Sequence, residues 1–129
     1  MRNLVAVGLV FLCTACAISY DPEPVRLSVP LPGNSFDLAL EVFRDRYRKI
    51  VEADRDAFRI QSAWIPVQRG DIPGFRRASV FRGADGQLSV IVEIYFVHLG
   101  PKGPENSDVR GDRRAEQELA GALERAIGK

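Results

Sequence analysis

Apolar and polar residues alternate over 25–31, where Val25, Leu27, Val29 and Leu31 are separated by Arg26, Ser28 and Pro30. That period of two predicts a β-strand, and Pro30, which cannot donate to a ladder, places it at a sheet edge. Pro32-Gly33-Asn34 ends the pattern, and Asn34 or Ser35 can cap a helix. Phe36, Ala39, Leu40, Phe43, Tyr47 and Ile50 then recur at helical spacing and predict one buried stripe, with Arg44, Arg46, Arg48 and Lys49 on a solvated face. A short strand over 50–53 turns through Asp54-Arg55-Asp56-Ala57 into a second apolar run over 58–65 that contains Trp64, expected to be a packing residue. Residues 66–74 read as a turn-rich connection. Two longer strands follow, 76–82 and 87–98, joined by Gly83-Ala84-Asp85-Gly86, whose Asp-Gly step is the strongest hairpin signal in the chain. The segment 99–111 (LGPKGPENSDVRG) carries three glycines and two prolines and predicts a mobile connection. Asp112 can cap a last helix with Ala115, Leu119, Ala122, Leu123, Ala126 and Ile127 on its buried stripe and Gly128 after it.

The order is strand, helix, several antiparallel strands, helix. This predicts an α+β fold, β-α-β-β-β-α, with an antiparallel sheet of four to five strands and two helices on one face. In the last long strand the even positions Leu88, Val90, Val92, Ile94 and Phe96 are all apolar and should face the helices. The odd positions Ser89, Ile91, Glu93, Tyr95 and Val97 form a mixed outer face. The same logic turns Ala78 and Val80 inward, and Arg77, Ser79 and Phe81 outward. Arg77, Phe81, Ile91 and Tyr95 therefore share the outer face as candidate partner-binding residues, with Arg26 and Arg59 at its rim. An exposed apolar patch edged by Arg and Tyr suits a partner site; cover by the 66–74 connection is the alternative.

Composition narrows the class. The 129 residues are 46% hydrophobic and 27% charged, as in a globular domain. Lys and Arg exceed Asp and Glu by 18 to 17, so no global field draws the chain to nucleic acid. Of the 18 basic residues only Lys49, Lys102 and Lys129 are lysines, and arginine is the better donor of paired hydrogen bonds to carboxylate or phosphate. Both cysteines, Cys13 and Cys16, lie near the N-terminus. There Met1-Arg2-Asn3 precedes an apolar run over 4–12 (LVAVGLVFL), too short to span a bilayer but suited to an export signal.

Leu12-Cys13-Thr14-Ala15-Cys16 resembles the bacterial lipobox, with Cys13 at the position usually aliphatic. The resemblance implies a signal peptide over 1–15, lipid attachment at Cys16, and a tether over 16–24. The domain would then be 25–129. Ala15-Cys16-Ala17 also fits ordinary signal cleavage, which would release a soluble periplasmic or secreted protein. Cys16 would then have no disulfide partner, which favours the lipoprotein. Ala17 after the lipid site, by the enterobacterial sorting rule, implies the outer membrane, with the domain facing the periplasm. The proline-rich stretch 17–24 reaches at most about 28 Å. Together with Ile50-Val51-Glu52-Ala53-Asp54-Arg55 and Arg59-Ile60-Gln61-Ser62-Ala63-Trp64 after the first helix, this layout resembles small outer-membrane lipoproteins with a helix-grip domain, such as the BamC-like lipoproteins of the β-barrel assembly machine. A second likeness is to the LptE-like lipoprotein of lipopolysaccharide export. Both imply a binding or scaffold role with an envelope protein as partner, and neither supplies catalytic residues.

A search for chemistry yields little. His98 is the lone histidine, and no G-x-S-x-G elbow or phosphate-loop spacing occurs. Asp54-Arg55-Asp56 reads as a turn rather than a calcium loop, and two Arg-Gly-Asp tripeptides, 69–71 and 110–112, fall in expected loops. The expectation is a non-catalytic module without cofactor or metal that binds an envelope protein. The alternative is a carrier holding an apolar ligand or lipid between sheet and helices.

Overall fold

The computed structural model describes residues 21–128. The signal segment and Cys16 lie outside the described residues. Ten elements follow one another: β1 (Glu23–Val25), α1 (Ser35–Tyr47), β2 (Ile50–Asp54), β3 (Arg59–Ser62), β4 (Ile65–Arg69), β5 (Ile72–Arg82), β6 (Leu88–Gly100), β7 (Gly103–Asn106), β8 (Arg110–Gly111) and α2 (Arg113–Ile127). The α+β class with an antiparallel sheet holds, but the sheet has eight strands rather than four or five. Its main path runs β1-β6-β5-β3-β2, with β4 also on β5 and β7 and β8 also on β6.

The additional strands come from segments expected to be irregular. Instead of a turn-rich connection, 66–74 forms most of the β4–β5 hairpin, which pairs from Ile65↔Arg76 to Arg69↔Ile72. Gly70, at φ 58°, opens its two-residue turn. Instead of a mobile connection, 99–111 folds back along β6 as β7 and β8. Neither has an apolar pattern. Their pairing is backbone to backbone, made possible because β6 runs on to Gly100 and offers an open edge. The first strand is correspondingly shorter than the expected 25–31. Val25 pairs with Leu88, the first residue of β6, so residues after it have no ladder neighbour. Leu27 and Leu31 pack against the core without a strand. As expected, β1 lies at an edge of the main path.

Both helices cover one face. Helix α2 packs on β1 and β6, α1 on β2 and β3, and the helices touch each other. Between them lie Phe43, Leu119, Leu123, Ile60, Val80, Leu88, Val90 and Val92, almost wholly withdrawn from solvent. Asp112 caps α2 as expected, its Oδ1 accepting from Ala115 N–H at 3.2 Å. Asn34 precedes α1 without a side-chain cap bond, and Ser35 Oγ instead donates to the Pro32 carbonyl at 2.6 Å. Phe58 closes the β2–β3 turn at φ 49° and meets Phe36 edge-on at 5.3 Å. Burial of that ring under α1 holds a left-handed backbone that a bulky residue rarely adopts.

The stripe of α2 departs from expectation at three places, the first being Ala126, which is only partly buried. Ala120 is buried where Ala122 was expected, and Glu116 is buried at 2% exposure. The carboxylate fills a gap in the sheet. Beside β6, the β1 pairs span Leu88 to Val90 and the β8 pairs Glu93 to Ile94. Glu116 Oε2 accepts the Val92 N–H at 3.0 Å, while Asp112 N–H donates to the Val92 carbonyl at 2.8 Å. Burial pushes the Glu116 carboxyl above the ordinary carboxylate range, opposed by the Val92 bond and by Arg113.

Candidate partner-binding face of the sheet

The register of β5 on β6 places the outer-face residues in order. Phe81 lies opposite Ser89, Ser79 opposite Ile91, Arg77 opposite Glu93, and Phe75 opposite Tyr95. Their inward neighbours Ala78, Val80, Leu88, Val90, Val92 and Ile94 are buried, so the strand phase read from the sequence is the observed one. The four expected residues Arg77, Phe81, Ile91 and Tyr95 fall within one band of successive cross-strand pairs. All four are half-buried.

The face is more ordered than a patch with an arginine rim. Tyr95 meets Trp64 edge-on at 5.0 Å and lies against Phe75 at 5.5 Å. Arg77 is held in the band rather than free at its margin. Its Nε and Nη2 both donate to Glu93 Oε1, at 2.9 and 2.8 Å, and its guanidinium stacks 4.5 Å over the Trp64 ring. Gln61 Nε2 donates to Ser79 Oγ at 3.1 Å and extends the band to β3. Arg59, opposite Phe81, reaches Glu52 at 3.7 Å. Arg26 lies past the end of β1, and its N–H donates to Glu124 of α2.

Trp64, Phe75 and Glu93 thus belong to the site although they were not among the candidates. For Phe75 the missed signal was strand length. Starting β5 at Ile72 instead of 76 carries its alternation back to Phe75, directly opposite Tyr95. The 66–74 segment lies in the sheet, so it is not a loop folded over this face. Among the described residues, the helices pack only against the opposite side of the sheet.

Neither a protein-family model nor a curated protein matches the chain. Nucleophile, base and metal candidates are dispersed. His98 stands on β6 opposite Glu105, 3.8 Å away, and both side chains are about half exposed. Asp54 accepts from Ala57 N–H at 3.1 Å, a turn bond. Among the described residues no group of three metal-ligating side chains converges, and no helix is long and apolar enough to cross a membrane. The Arg-Gly-Asp tripeptides are used by the fold. Gly70-Asp71 is the β4–β5 turn, and Asp112 is the cap of α2.

Proposed function

We propose that this chain is a lipid-anchored cell-envelope module, attached through Cys16, that binds another protein through the outer face of its sheet. The observation that carries the reading is the Trp64–Phe75–Tyr95 cluster with Arg77 stacked and paired at its centre, on the side away from the helices. Aromatic and arginine side chains held in place lose little conformational freedom on binding, and such residues dominate interface energetics. The anchor rests on the lipobox-like sequence, and the scaffold role is the one implied by likeness to BamC-like lipoproteins. The carrier reading is weaker, because the layer between sheet and helices is filled by Phe43, Leu119, Leu123, Val90 and Val92.

Two measurements test the proposal. Labelled palmitate should be incorporated by the wild type and not by Cys16→Ser, and equal labelling would remove the anchor. A photo-crosslinking side chain at Ile91, on the outer face, should give one discrete protein adduct in intact envelopes. The same probe at Glu118, exposed on α2, should give none. Equal adducts from both positions, or lipid alone from Ile91, would contradict a protein-binding face.

A further inference from the structure

A second feature lies on the helix side of the sheet, where β5 and β6 run on beyond the helices. A cavity of about 280 Å³ opens there, floored by Val67, Ile94 and Phe96. Four arginines line it, contributed by four elements: Arg69 from β4, Arg76 from β5, Arg110 from β8 and Arg113 from α2. One carboxylate, Asp112, stands among them.

The charges are unevenly satisfied. Asp112 is doubly engaged, capping α2 through Oδ1 and pairing with Arg76 Nη2 through Oδ2 at 3.0 Å. Arg113 Nη1 reaches Glu23 at 2.9 Å and Glu116 at 3.5 Å. Among the described residues, Arg69 and Arg110 pair with no carboxylate, and the buried Nε of Arg76 donates to no acceptor. Arg69 is not loose, however. Its guanidinium stacks 4.1 Å over Phe96, and that ring lies on Gly74, where a Cβ would come within 2.6 Å of it. The helix N-terminus is already occupied by Asp112, so the guanidinium groups rather than the dipole supply the attraction.

We propose that this arginine-lined cavity binds the phosphate group of an anionic ligand. Guanidinium forks match phosphate oxygens in paired hydrogen bonds, and the exposed Arg69 and Arg110, with no carboxylate partner among the described residues, stand beside the buried, unpaired Nε of Arg76 as donors that an anion can take over from solvent. The volume lies at the low end for ligand pockets and suits a headgroup-sized moiety, with the apolar floor against its carbon portion. Two sources present that chemistry, a free phosphate monoester and a phospholipid headgroup. Glu23, the first residue of β1, pairs with Arg113 at this cavity, so an anchor at Cys16 would hold the cavity within about 25 Å of the bilayer. Phosphate binding stands without the anchor; the choice of the headgroup as source rests on it.

The test uses the full chain carrying Cys16→Ser, so that no attached lipid brings it to a membrane. Glycerol 3-phosphate is titrated while the arginine Nε–H signals are followed by NMR, and flotation is measured with vesicles of phosphatidylglycerol and of phosphatidylcholine. Saturable shifts at Arg69, Arg76 and Arg110 are expected. Arg69→Gln with Arg110→Gln should lower affinity about tenfold or more, whereas Arg44→Gln with Arg125→Gln, the same loss of charge on exposed helix positions, should leave it near wild type. Flotation with phosphatidylglycerol alone, lost in the cavity variant, assigns the headgroup. Saturable glycerol 3-phosphate binding without flotation assigns a soluble monoester. No saturable shift together with no cavity-dependent flotation, or equal losses in the two double variants, overturns the proposal. Because attached lipid plays no part, failure here is distinguishable from failure of the palmitate labelling.

Discussion

Strands β5 and β6 carry two surfaces that differ in how they exclude water. On the helix side Ala78, Val80, Leu88, Val90 and Val92 are aliphatic and fully buried, held by shape and by removal of apolar area from water. On the outer side Phe75, Arg77, Ile91, Glu93 and Tyr95 are half-buried, held by ring contacts, a stacked guanidinium and a charge-assisted pair. One pair of strands thus supports a surface that specifies the fold and another that holds a fixed pattern of rings and charges, the face proposed to bind a partner. Changes on the inner side should cost stability first. Changes on the outer side should cost binding first.

The largest effect expected is at the inner layer. Phe43→Ala, which empties the space between α1 and the sheet, should destabilise the domain by about 4 kcal/mol in chemical denaturation. A loss below about 1 kcal/mol would mean that the layer is not the packed core described here. Next comes the one carboxylate that, among the described residues, is set into that layer. Glu116→Ala leaves the buried Val92 N–H without an acceptor and should cost about 2 kcal/mol. Glu116→Gln keeps an acceptor and should cost less.

The same residue sets a pH dependence. Because burial raises the Glu116 carboxyl in the folded state, the fold binds more protons there than the unfolded chain. Its contribution is fully present below the ordinary carboxylate value and is lost as pH rises through the raised value. Arg113 opposes the shift, while Asp112 and Glu23 reinforce it. In Glu116→Gln this decline should vanish from stability measured across the acidic range. A decline of unchanged size would place its origin elsewhere.

Outer-face truncations should be milder. Tyr95→Ala removes two ring contacts and should cost about 1 kcal/mol, more than a bare surface residue and less than a core one. Arg77→Lys keeps the charge but gives up the double hydrogen bond to Glu93 and the planar stacking on Trp64, for a loss below about 1 kcal/mol. Equal losses for Tyr95→Ala and Phe43→Ala would erase the distinction between the two faces.

How far the sequence foretold this arrangement depended on periodicity. The phase of 88–96 and the stripes of both helices were legible because alternate or fourth-place apolar residues face one core. Strands β7 and β8 were not, since sequences such as Gly103-Pro104-Glu105-Asn106 carry no such period and pair only because a long neighbouring strand offers its edge, while the short alternation of Ile65 and Val67 in β4 was hidden by the turn-forming Pro66 and Gly70 beside it. Glu116 was hidden for a related reason. A charge between Ala115 and Leu119 looks like a solvated position until the gap beside Val92 is known. The outer band was half legible: Arg77, Phe81, Ile91 and Tyr95 followed from alternation, while Phe75 required the true length of β5 and Trp64 the β4–β5 pairing that begins right after it. The arginine cavity draws on residues up to 44 positions apart (69 to 113), a convergence that spacing along the chain does not encode.

The most direct test compares one residue from each face in binding to the protein crosslinked through position 91. Capture is measured per folded molecule beside stability, for Tyr95→Ala and Val92→Ala. Tyr95→Ala should reduce capture about tenfold or more while the domain remains folded. Val92→Ala should lower stability by about 2 kcal/mol and leave capture per folded molecule unchanged. Unchanged capture with Tyr95→Ala, or a loss with Val92→Ala that matches it, would contradict the assignment of binding to the outer face.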